Sequence, residues 1–300
     1  MSDDRRQGSF YRVSDDEKRL FAREGYVHLR GVLSDEEVGE LETVYDRFLR
    51  REIEVPGKDY CDMSGEYGRE PADFAIVNVM LPRRYWPAWQ GNVYERRAAS
   101  IAQQLCGDGM AIDYDQLLAK RPHEAKAVFG WHQDMAYWID TADRRTATCW
   151  LAIDPSTREN GCMRFVPGSH LEAQLRPHRP LHGDRETSHT LVTEVDPQRD
   201  DVRLAEIARG DITVHNERVL HGSGGNDSDG WRRAYIVAFR SEATIAEERR
   251  RGFTHSHNDE TQVKDAVGIA GETKHSTCAA RAANRRVGRE FGRVVPLPQS

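Results

Sequence analysis

Long hydrophobic runs are absent from this chain of 300 residues. The longest are short, such as residues 75–77 and 235–238, whereas a membrane-spanning helix needs about 20 apolar residues. The first six residues include four charged ones with no apolar stretch behind them, so no secretory signal is expected. The sequence therefore predicts a cytoplasmic protein without a membrane span.

Closely spaced cysteines and net positive charge are also missing. The chain has five cysteines, and even the closest pair, Cys149 and Cys162, is too far apart for a CxxC zinc or redox motif. We expect reduced thiols. The formal net charge of −6 argues against a nucleic-acid binder, because such proteins neutralise phosphates with basic patches. The chain does contain 12 histidines.

The N-terminal part, residues 14–107, has the signals of helices. Ser14 and Ser34 each begin a capping box, in which a glutamate three residues later completes the hydrogen bonds at the helix start. Gly25 is a suitable helix end, and residues 26–29 alternate like a strand. A further helix is predicted from Asn92 onward.

Short β-like runs separated by turns dominate the next part, residues 111–240. Strands following helices predict an α+β protein with a mainly β core, either a jelly roll or a barrel. No Gly/Ser/Pro-rich linker divides the chain, so we predict a single domain with a C-terminal extension over residues 241–300. The arginine-rich stretch 279–293 is expected either to pack on the barrel as a helix or to form a subunit contact, in a monomer or a homodimer.

A histidine and an aspartate stand two positions apart in Trp131-His132-Gln133-Asp134. On an extended strand both side chains project to one face, because strand side chains alternate. Such a pair supplies two thirds of a 2-His-1-carboxylate iron site, which leaves coordination positions open. The motif alone is weak, since this chain is rich in histidine and acidic residues.

A second segment, His221 to Arg232, lies between two apolar runs and is rich in turn residues. The turn brings Arg232 back beside His221 on a neighbouring stretch of sheet. A histidine for a metal and a guanidinium nearby suit an organic anion that chelates iron and pairs its distal carboxylate with arginine. The alternative is a surface loop with an incidental histidine.

The chain resembles the phytanoyl-CoA dioxygenase family in residue type, order and spacing over four stretches, namely 131–134, 149–154, 160–170 and 221–232. The N-terminal segment 24–34 is similar to the helix–strand–helix opening of that family. The resemblance covers residues 117–240 well, residues 14–48 moderately and residues beyond 241 poorly.

The resemblance implies a double-stranded β-helix, a cupin-like jelly roll, that binds Fe(II), 2-oxoglutarate and O2. Carried over by position, His132, Asp134 and His221 match the iron ligands, and Arg232 matches the arginine that holds the distal carboxylate of 2-oxoglutarate. Related halogenases have a small residue in place of the aspartate, so the intact Asp134 favours oxygen transfer.

Further residues are candidates for contacts with the two small molecules. Ser223 stands where the family often has a hydroxyl beside the 2-oxoglutarate carboxylate. On strands flanking the site, the candidates for cosubstrate contact are Gln116, Lys120 and Thr148. Candidates for substrate contact are Tyr137, Trp138, His255, His257 and Asn258. The alternative without a functional role is core packing at a strand end for Tyr137 and Trp138 and a solvent-exposed connection for residues 255–258.

The expected function is oxidation of a C–H bond, with hydroxylation as its usual outcome, in a small polar metabolite or natural-product intermediate. Succinate and CO2 are the coproducts. Two alternatives stay open at this point. The same iron site gives desaturation, epoxidation, ring formation or carbon–heteroatom cleavage when a different substrate atom faces the oxidant. A cupin-like binding protein without catalysis shares the fold, since fold alone does not fix function.

Overall fold

A computed structural model describes residues 5–260 of the chain. Its helices are α1 (Asp15–Glu24), α2 (Asp35–Leu49), α3 (Pro82–Tyr85), α4 (Val93–Cys106) and α5 (Glu242–Arg250). Its strands are β1 (Arg6–Gln7), β2 (Phe10–Tyr11), β3 (Tyr26–Leu29), β4 (Tyr60–Asp62), β5 (Ile76–Met80), β6 (Met110–Lys120), β7 (Phe129–His132), β8 (Thr146–Ala152), β9 (Met163–Val166), β10 (Arg179–Pro180), β11 (Leu191–Val192), β12 (Arg203–Ala205), β13 (Ile212–His215), β14 (Leu220–Ser223) and β15 (Arg232–Ser241). The arginine-rich stretch 279–293 lies outside the described residues.

Two antiparallel sheets form the β core. The larger has seven strands in the order β3-β13-β8-β15-β6-β5-β4, and the smaller has four in the order β12-β9-β14-β7. Helices α2 and α4 pack on the outer face of the larger sheet through a shared hydrophobic core. The prediction of an α+β fold with a mainly β, cupin-like jelly-roll core and N-terminal helices on the sheet is confirmed.

The helix signals in the sequence act as expected. The hydroxyl oxygens of Ser14 and Ser34 accept hydrogen bonds from the backbone N–H groups of Glu17 and Glu37, and both capping boxes are complete. Gly25 ends α1 with a φ of 80°, a conformation that glycine adopts without steric cost. These caps fix where each helix begins and ends, and therefore which helix faces meet the sheet.

Alternation along the central strand β15 separates the two sides of the larger sheet. Tyr235, Val237 and Phe239 belong to the core beneath the helices, whereas Ala234 and Ile236 belong to the core between the two sheets. Side chains of a strand point to opposite faces in turn. Every second residue of β6, β8 and β15 therefore faces the smaller sheet, and these residues form one wall of the space between the sheets.

The structure differs from the expected extended conformation of the histidine–aspartate motif. Strand β7 ends at His132, and a 3-10 turn over Asp134–Tyr137 begins at the aspartate. Only Gln133 between them stays extended, with φ −121° and ψ 124°. The apolar runs of the sequence also gave no sign of β7 and β14, because these short strands contain histidine, glycine and serine in place of most aliphatic residues.

Two further expectations concern thiols and membranes. The cysteines that the structure describes are all free, namely Cys61, Cys106, Cys149 and Cys162. Within residues 5–260, no helix is both long and apolar enough to cross a membrane.

Gly222 in β14 is expected to be essential for the close approach of β14 and β7. A Cβ atom there would lie 2.9 Å from the carbonyl oxygen of Phe129 and 3.0 Å from that of Gly130. Gly222→Ala should therefore lower the free energy of unfolding by about 1–3 kcal/mol, measured by urea denaturation. Gly230→Ala, where nothing lies within 4 Å of the added Cβ, is the control. Equal stability of the two variants would contradict the packing described.

Candidate active site

His132 and His221 face each other across the β7–β14 strand pair. They are register partners in the smaller sheet, and their ring centroids are 4.1 Å apart. The Nδ1 atom of His132 lies 2.8 Å from the Gly130 carbonyl oxygen, and that of His221 lies 3.0 Å from the Val219 carbonyl oxygen. Because a carbonyl only accepts, each Nδ1 donates, so each ring in its neutral form keeps the lone pair on Nε2.

Asp134 completes a cluster with these two histidines. Its Oδ1 lies 3.2 Å from Nε2 of His132 and 3.4 Å from Nε2 of His221. Adjacent ligands of one octahedral metal at about 2.1 Å would be about 3 Å apart, so the three atoms fit a single ion. Burial by itself would raise the pKa of Asp134, but the facing imidazoles hold that pKa well below its usual value.

Gln133, which separates the two ligand positions, is fully buried and held at both ends. Its backbone N–H donates to Nε2 of His178 at 3.0 Å. Its side-chain amide donates to the Arg218 carbonyl at 2.6 Å and accepts from the Arg176 N–H at 2.8 Å. These bonds fix the backbone between strand and turn, so that His132 and Asp134 point into the same space although the strand has ended.

His215 at the end of β13 is a site residue that the sequence reasoning missed. Its Nε2–H donates to Oδ2 of Asp134 at 3.2 Å, on the carboxylate oxygen not shared with the other two histidines. Burial and the neighbouring His221 lower the pKa of His215 to about 4, so the ring is neutral. The only sequence signal was a histidine directly after the apolar run 212–214. His215 orients the carboxylate rather than offering a third histidine ligand.

A small pocket, with a cavity volume of about 60 Å³, extends from this cluster between the sheets. Its wall on the larger sheet consists of every second residue of three neighbouring strands. These include Gln116, Lys120, Thr148, Trp150 and Arg232. The predicted cosubstrate residues thus converge on one space. Arg232 faces His221 across the pocket from the opposite sheet, which corrects the expectation that the two lie on neighbouring stretches of one sheet.

Arg232 is 1% exposed, yet two of its nitrogen atoms, Nε and Nη1, have no hydrogen-bond partner within residues 5–260. Thr148 Oγ1 in the same pocket is also without a partner there. Burial lowers the pKa of Arg232 to about 10, which still leaves the group charged near neutral pH. An unpaired buried charge costs several kcal/mol. The pocket therefore has the chemistry of a site for an anion.

The neighbouring Arg233 shows the contrast within one strand. Its guanidinium points to the helices, where it pairs with Asp154 at 2.7 Å and Asp46 at 2.6 Å and also contacts Glu42. Arg232, one residue earlier, faces the pocket and makes no such ion pair within the described chain. Because side chains of a strand alternate between its two faces, Arg233 forms ion pairs that stabilise the fold, whereas Arg232 is left for a ligand.

Lys120 and Ser223 link the two sheets at the far end of the pocket. The Nζ atom of Lys120 donates to Ser223 Oγ at 2.6 Å and to the Gly224 carbonyl. Burial and the nearby charges of Arg232 and Arg164 lower the pKa of Lys120 well below its usual value. Gln116, nearer the metal cluster, donates to Asn78 Oδ1 at 2.6 Å.

A smaller compartment, with a cavity volume of about 40 Å³, adjoins the pocket and shares His132 and Asp134 with it. Three of the predicted substrate residues, Tyr137, Trp138 and His257, line it, and so does His189. His189 lies in the irregular stretch between β9 and β13, where the sequence had no periodic pattern from which its position could be inferred.

The other two predicted substrate residues are placed elsewhere. Asn258 lies at the surface, where its side chain accepts from the Lys58 N–H at 2.8 Å and donates to the Pro56 carbonyl at 3.2 Å. His255 is fully buried beside Asp113 at 2.7 Å and Glu248 at 3.3 Å. Neither residue lines the compartment, because local hydrogen bonds direct the two side chains away from it.

The cluster of Asp113, Glu248 and His255 has three groups of the kind that bind metals. Its carboxylates are already paired with two guanidinium groups, since Arg249 contacts Asp113 and Arg240 contacts both Glu248 and Asp113. These cations take the place that a metal ion would have. The cluster therefore joins helix α5 to strands β6 and β15.

Comparisons with known proteins agree with this geometry. The model of the phytanoyl-CoA dioxygenase (PhyH) family matches residues 21–234. Peroxisomal phytanoyl-CoA dioxygenase of Rattus norvegicus is 22% identical over 76% of this chain and 69% of its own length. A 2-aminoethylphosphonate dioxygenase of an uncultured bacterium is 24% identical over 75% of this chain and 81% of its own.

A solved structure is also similar to this chain. EvdO2 from Micromonospora carbonacea var. aurantiaca, crystallised with 2-oxoglutarate, has a TM-score of 0.62 and 28% identity, with 77% of this chain and 92% of that chain covered. The chain belongs to the phytanoyl-CoA dioxygenase family, and the prediction of an Fe(II)- and 2-oxoglutarate-dependent dioxygenase is confirmed at the level of the class.

Replacement of His215 should weaken metal binding although His215 is not a ligand. His215→Phe keeps an aromatic ring beside Phe165 but removes the hydrogen bond to Asp134, and loss of such an outer partner typically costs about 10–100-fold in affinity. Titration calorimetry with Mn(II) measures this effect. His123→Phe, at a histidine with a side chain 67% exposed, is the control. A change of less than twofold in His215→Phe would contradict the role assigned.

Proposed function

We propose that this protein is an Fe(II)- and 2-oxoglutarate-dependent dioxygenase that hydroxylates a C–H bond of a small polar metabolite or natural-product intermediate, with release of succinate and CO2. The observation that carries the proposal is the buried Arg232 guanidinium opposite the His132–Asp134–His221 cluster. A single molecule with a chelating end and a carboxylate at its other end satisfies both groups at once.

The residues of the pocket divide the work of binding between them. His132, Asp134 and His221 would hold the metal, and Arg232 would hold the distal carboxylate of 2-oxoglutarate. Thr148 Oγ1, which has no partner in the described chain, and Ser223 are positioned to donate to the same dianion. Metal and cosubstrate supply the oxidation itself, which no protein side chain performs.

The chain's own contribution beyond binding is orientation and exclusion of water. His215 and Gln133 fix the ligand carboxylate and the backbone beside it. The walls of Trp150, Met163 and Ile236 surround the pocket with apolar surface. A dry and preorganised site directs the oxidation to the bound substrate and limits side reactions.

The intact Asp134 supports oxygen transfer as the outcome, since the carboxylate occupies the metal position that a halide would need. Small-molecule substrates are supported by the family. A cytoplasmic location, a single domain over residues 1–300, and a monomeric or homodimeric state stay predictions.

Anaerobic addition of Fe(II) and 2-oxoglutarate is expected to produce a weak metal-to-ligand charge-transfer band in the visible spectrum. His132→Ala and His221→Ala should abolish the band, because each variant lacks one of the three metal ligands. A wild-type protein that never shows the band at saturating 2-oxoglutarate would contradict the proposed function.

Arg232→Gln should weaken 2-oxoglutarate binding about 30-fold or more, as expected for loss of a buried charge partner. The dissociation constant is obtained by titrating the same band with 2-oxoglutarate. Arg233→Gln is the matched control on the opposite face of β15, and its dissociation constant should stay within about twofold of wild type in the folded fraction. Equal effects of the two substitutions would contradict the assignment of Arg232.

A further inference from the structure

Two basic side chains stand next to each other in the wall of the pocket. Lys120 in β6 and Arg232 in β15 are register partners on neighbouring strands, and both line the pocket and are 1% exposed. Like charges directly opposite each other on a sheet repel, and burial strengthens the repulsion because the local dielectric constant is low. Asp154, which is bonded to Arg233, offsets the charge of Arg232 only in part. Two full positive charges side by side are therefore unfavourable here.

The elements packed around Lys120 in the described chain do little to offset a charge on it. Its register partner on the other side, in β5, is the apolar Ile76. The strand β9 adds a further cation, Arg164, whose charge also acts on Lys120. Burial raises the pKa of the adjoining Cys162, so that thiol is uncharged. Asp134 is the only acidic residue among the described residues that line the pocket, and it lies at the metal end.

Of the two neighbouring cations, only the lysine can lose its charge near neutral pH. A guanidinium stays protonated in proteins, whereas a buried lysine releases its proton readily. Burial, Arg232 and Arg164 lower the pKa of Lys120 well below its usual value. Release of the proton from Lys120 removes the repulsion and leaves the charge of Arg232 available for a ligand.

The hydrogen bonds of Lys120 match those of a neutral amine. An ammonium has three N–H groups, and a neutral amine has two N–H groups and one lone pair. The Nζ atom donates to Ser223 Oγ at 2.6 Å and to the Gly224 carbonyl, and the described chain records no third acceptor for it. Two N–H groups satisfy both bonds. A carboxylate bound at Arg232 would supply the acceptor for a third N–H, because the two residues are neighbours in the wall.

We propose that Lys120 is a neutral amine in the ligand-free protein and takes up one proton from the solvent when the distal carboxylate of 2-oxoglutarate binds. In the complex, the ammonium group donates its third N–H to the carboxylate that Arg232 also holds. Lys120 is then a specificity-determining residue, because a 2-oxo acid without a distal carboxylate provides neither the acceptor nor the counter-charge for protonation. The inference rests on the proposed function for the identity of the cosubstrate.

Isothermal titration calorimetry counts the proton without any turnover. Full-length protein loaded with Mn(II) is titrated anaerobically with 2-oxoglutarate at pH 8 in Hepes, triethanolamine and Tris buffers, which differ in ionisation enthalpy. The slope of the observed heat against ionisation enthalpy gives the number of protons taken up. The wild type should take up about one proton per 2-oxoglutarate, and Lys120→Met about none. The control Lys18→Met, at a surface lysine 3.1 Å from Asp15 in α1, should keep the wild-type value.

Two kinds of failure are distinguishable in this experiment. Binding of 2-oxoglutarate by the wild type with less than about 0.2 proton taken up, or with the same uptake in Lys120→Met, would overturn this inference alone. Protein that binds Mn(II) but shows no binding of 2-oxoglutarate at millimolar concentration would overturn the proposed function and this inference with it.

The pH dependence of binding provides a second measurement. Because the complex holds one proton more than the ligand-free protein, the dissociation constant of 2-oxoglutarate should rise with pH, by up to about tenfold per pH unit. Between pH 7 and 9, the constant of the wild type should rise at least about fivefold more than that of Lys120→Met. Lys120→Arg keeps its charge throughout this range and should show the same weak pH dependence as Lys120→Met. Equal pH dependence in the wild type and both variants would overturn the proposal.

Discussion

The buried charge of Arg232 is the constraint on which the rest of this site depends. Its guanidinium lies between the two sheets and makes no ion pair within residues 5–260, which is unfavourable for a buried charge. The Trp150 ring, 5.2 Å away, and the attraction of Asp154 compensate this charge only in part. The adjacent Arg233, by contrast, is surrounded by Asp154, Asp46 and Glu42. The fold therefore reserves one positive charge for a ligand, and the ligand that binds there contributes to holding the two sheets together.

In the metal cluster at the other end of the pocket, as at Arg232, some polar atoms have hydrogen-bond partners and others are left for a ligand. Carbonyl groups take the Nδ1 protons of His132 and His221, His215 takes one oxygen of Asp134, and Gln133 is bonded at both ends of its amide. One lone pair on each of the two rings and one oxygen of Asp134 remain without such a bond, and all three are directed at a common point. A metal ion is the group that uses all three together.

Sequence alone predicted those parts of the site that follow from local rules. The capping boxes at Ser14 and Ser34, the aliphatic strands and the paired motifs around His132 and His221 are all read from nearest neighbours in the chain. His215 and His189 were missed for different reasons. The hydrogen bond from His215 to Asp134 joins residues distant in sequence, and His189 lies in irregular chain whose path depends on packing. Asn258 was misplaced because its bonds to the Lys58 and Pro56 backbone could not be anticipated.

A crystal structure of the full chain grown anaerobically with Fe(II) and 2-oxoglutarate tests the central claim most directly. The account predicts one metal ion within about 2.0–2.2 Å of His132 Nε2, His221 Nε2 and an oxygen of Asp134. It also predicts the distal carboxylate of 2-oxoglutarate within about 3 Å of the Arg232 guanidinium. Iron bound at the Asp113–Glu248–His255 cluster instead, or a cosubstrate carboxylate held by residues other than Arg232, would contradict it.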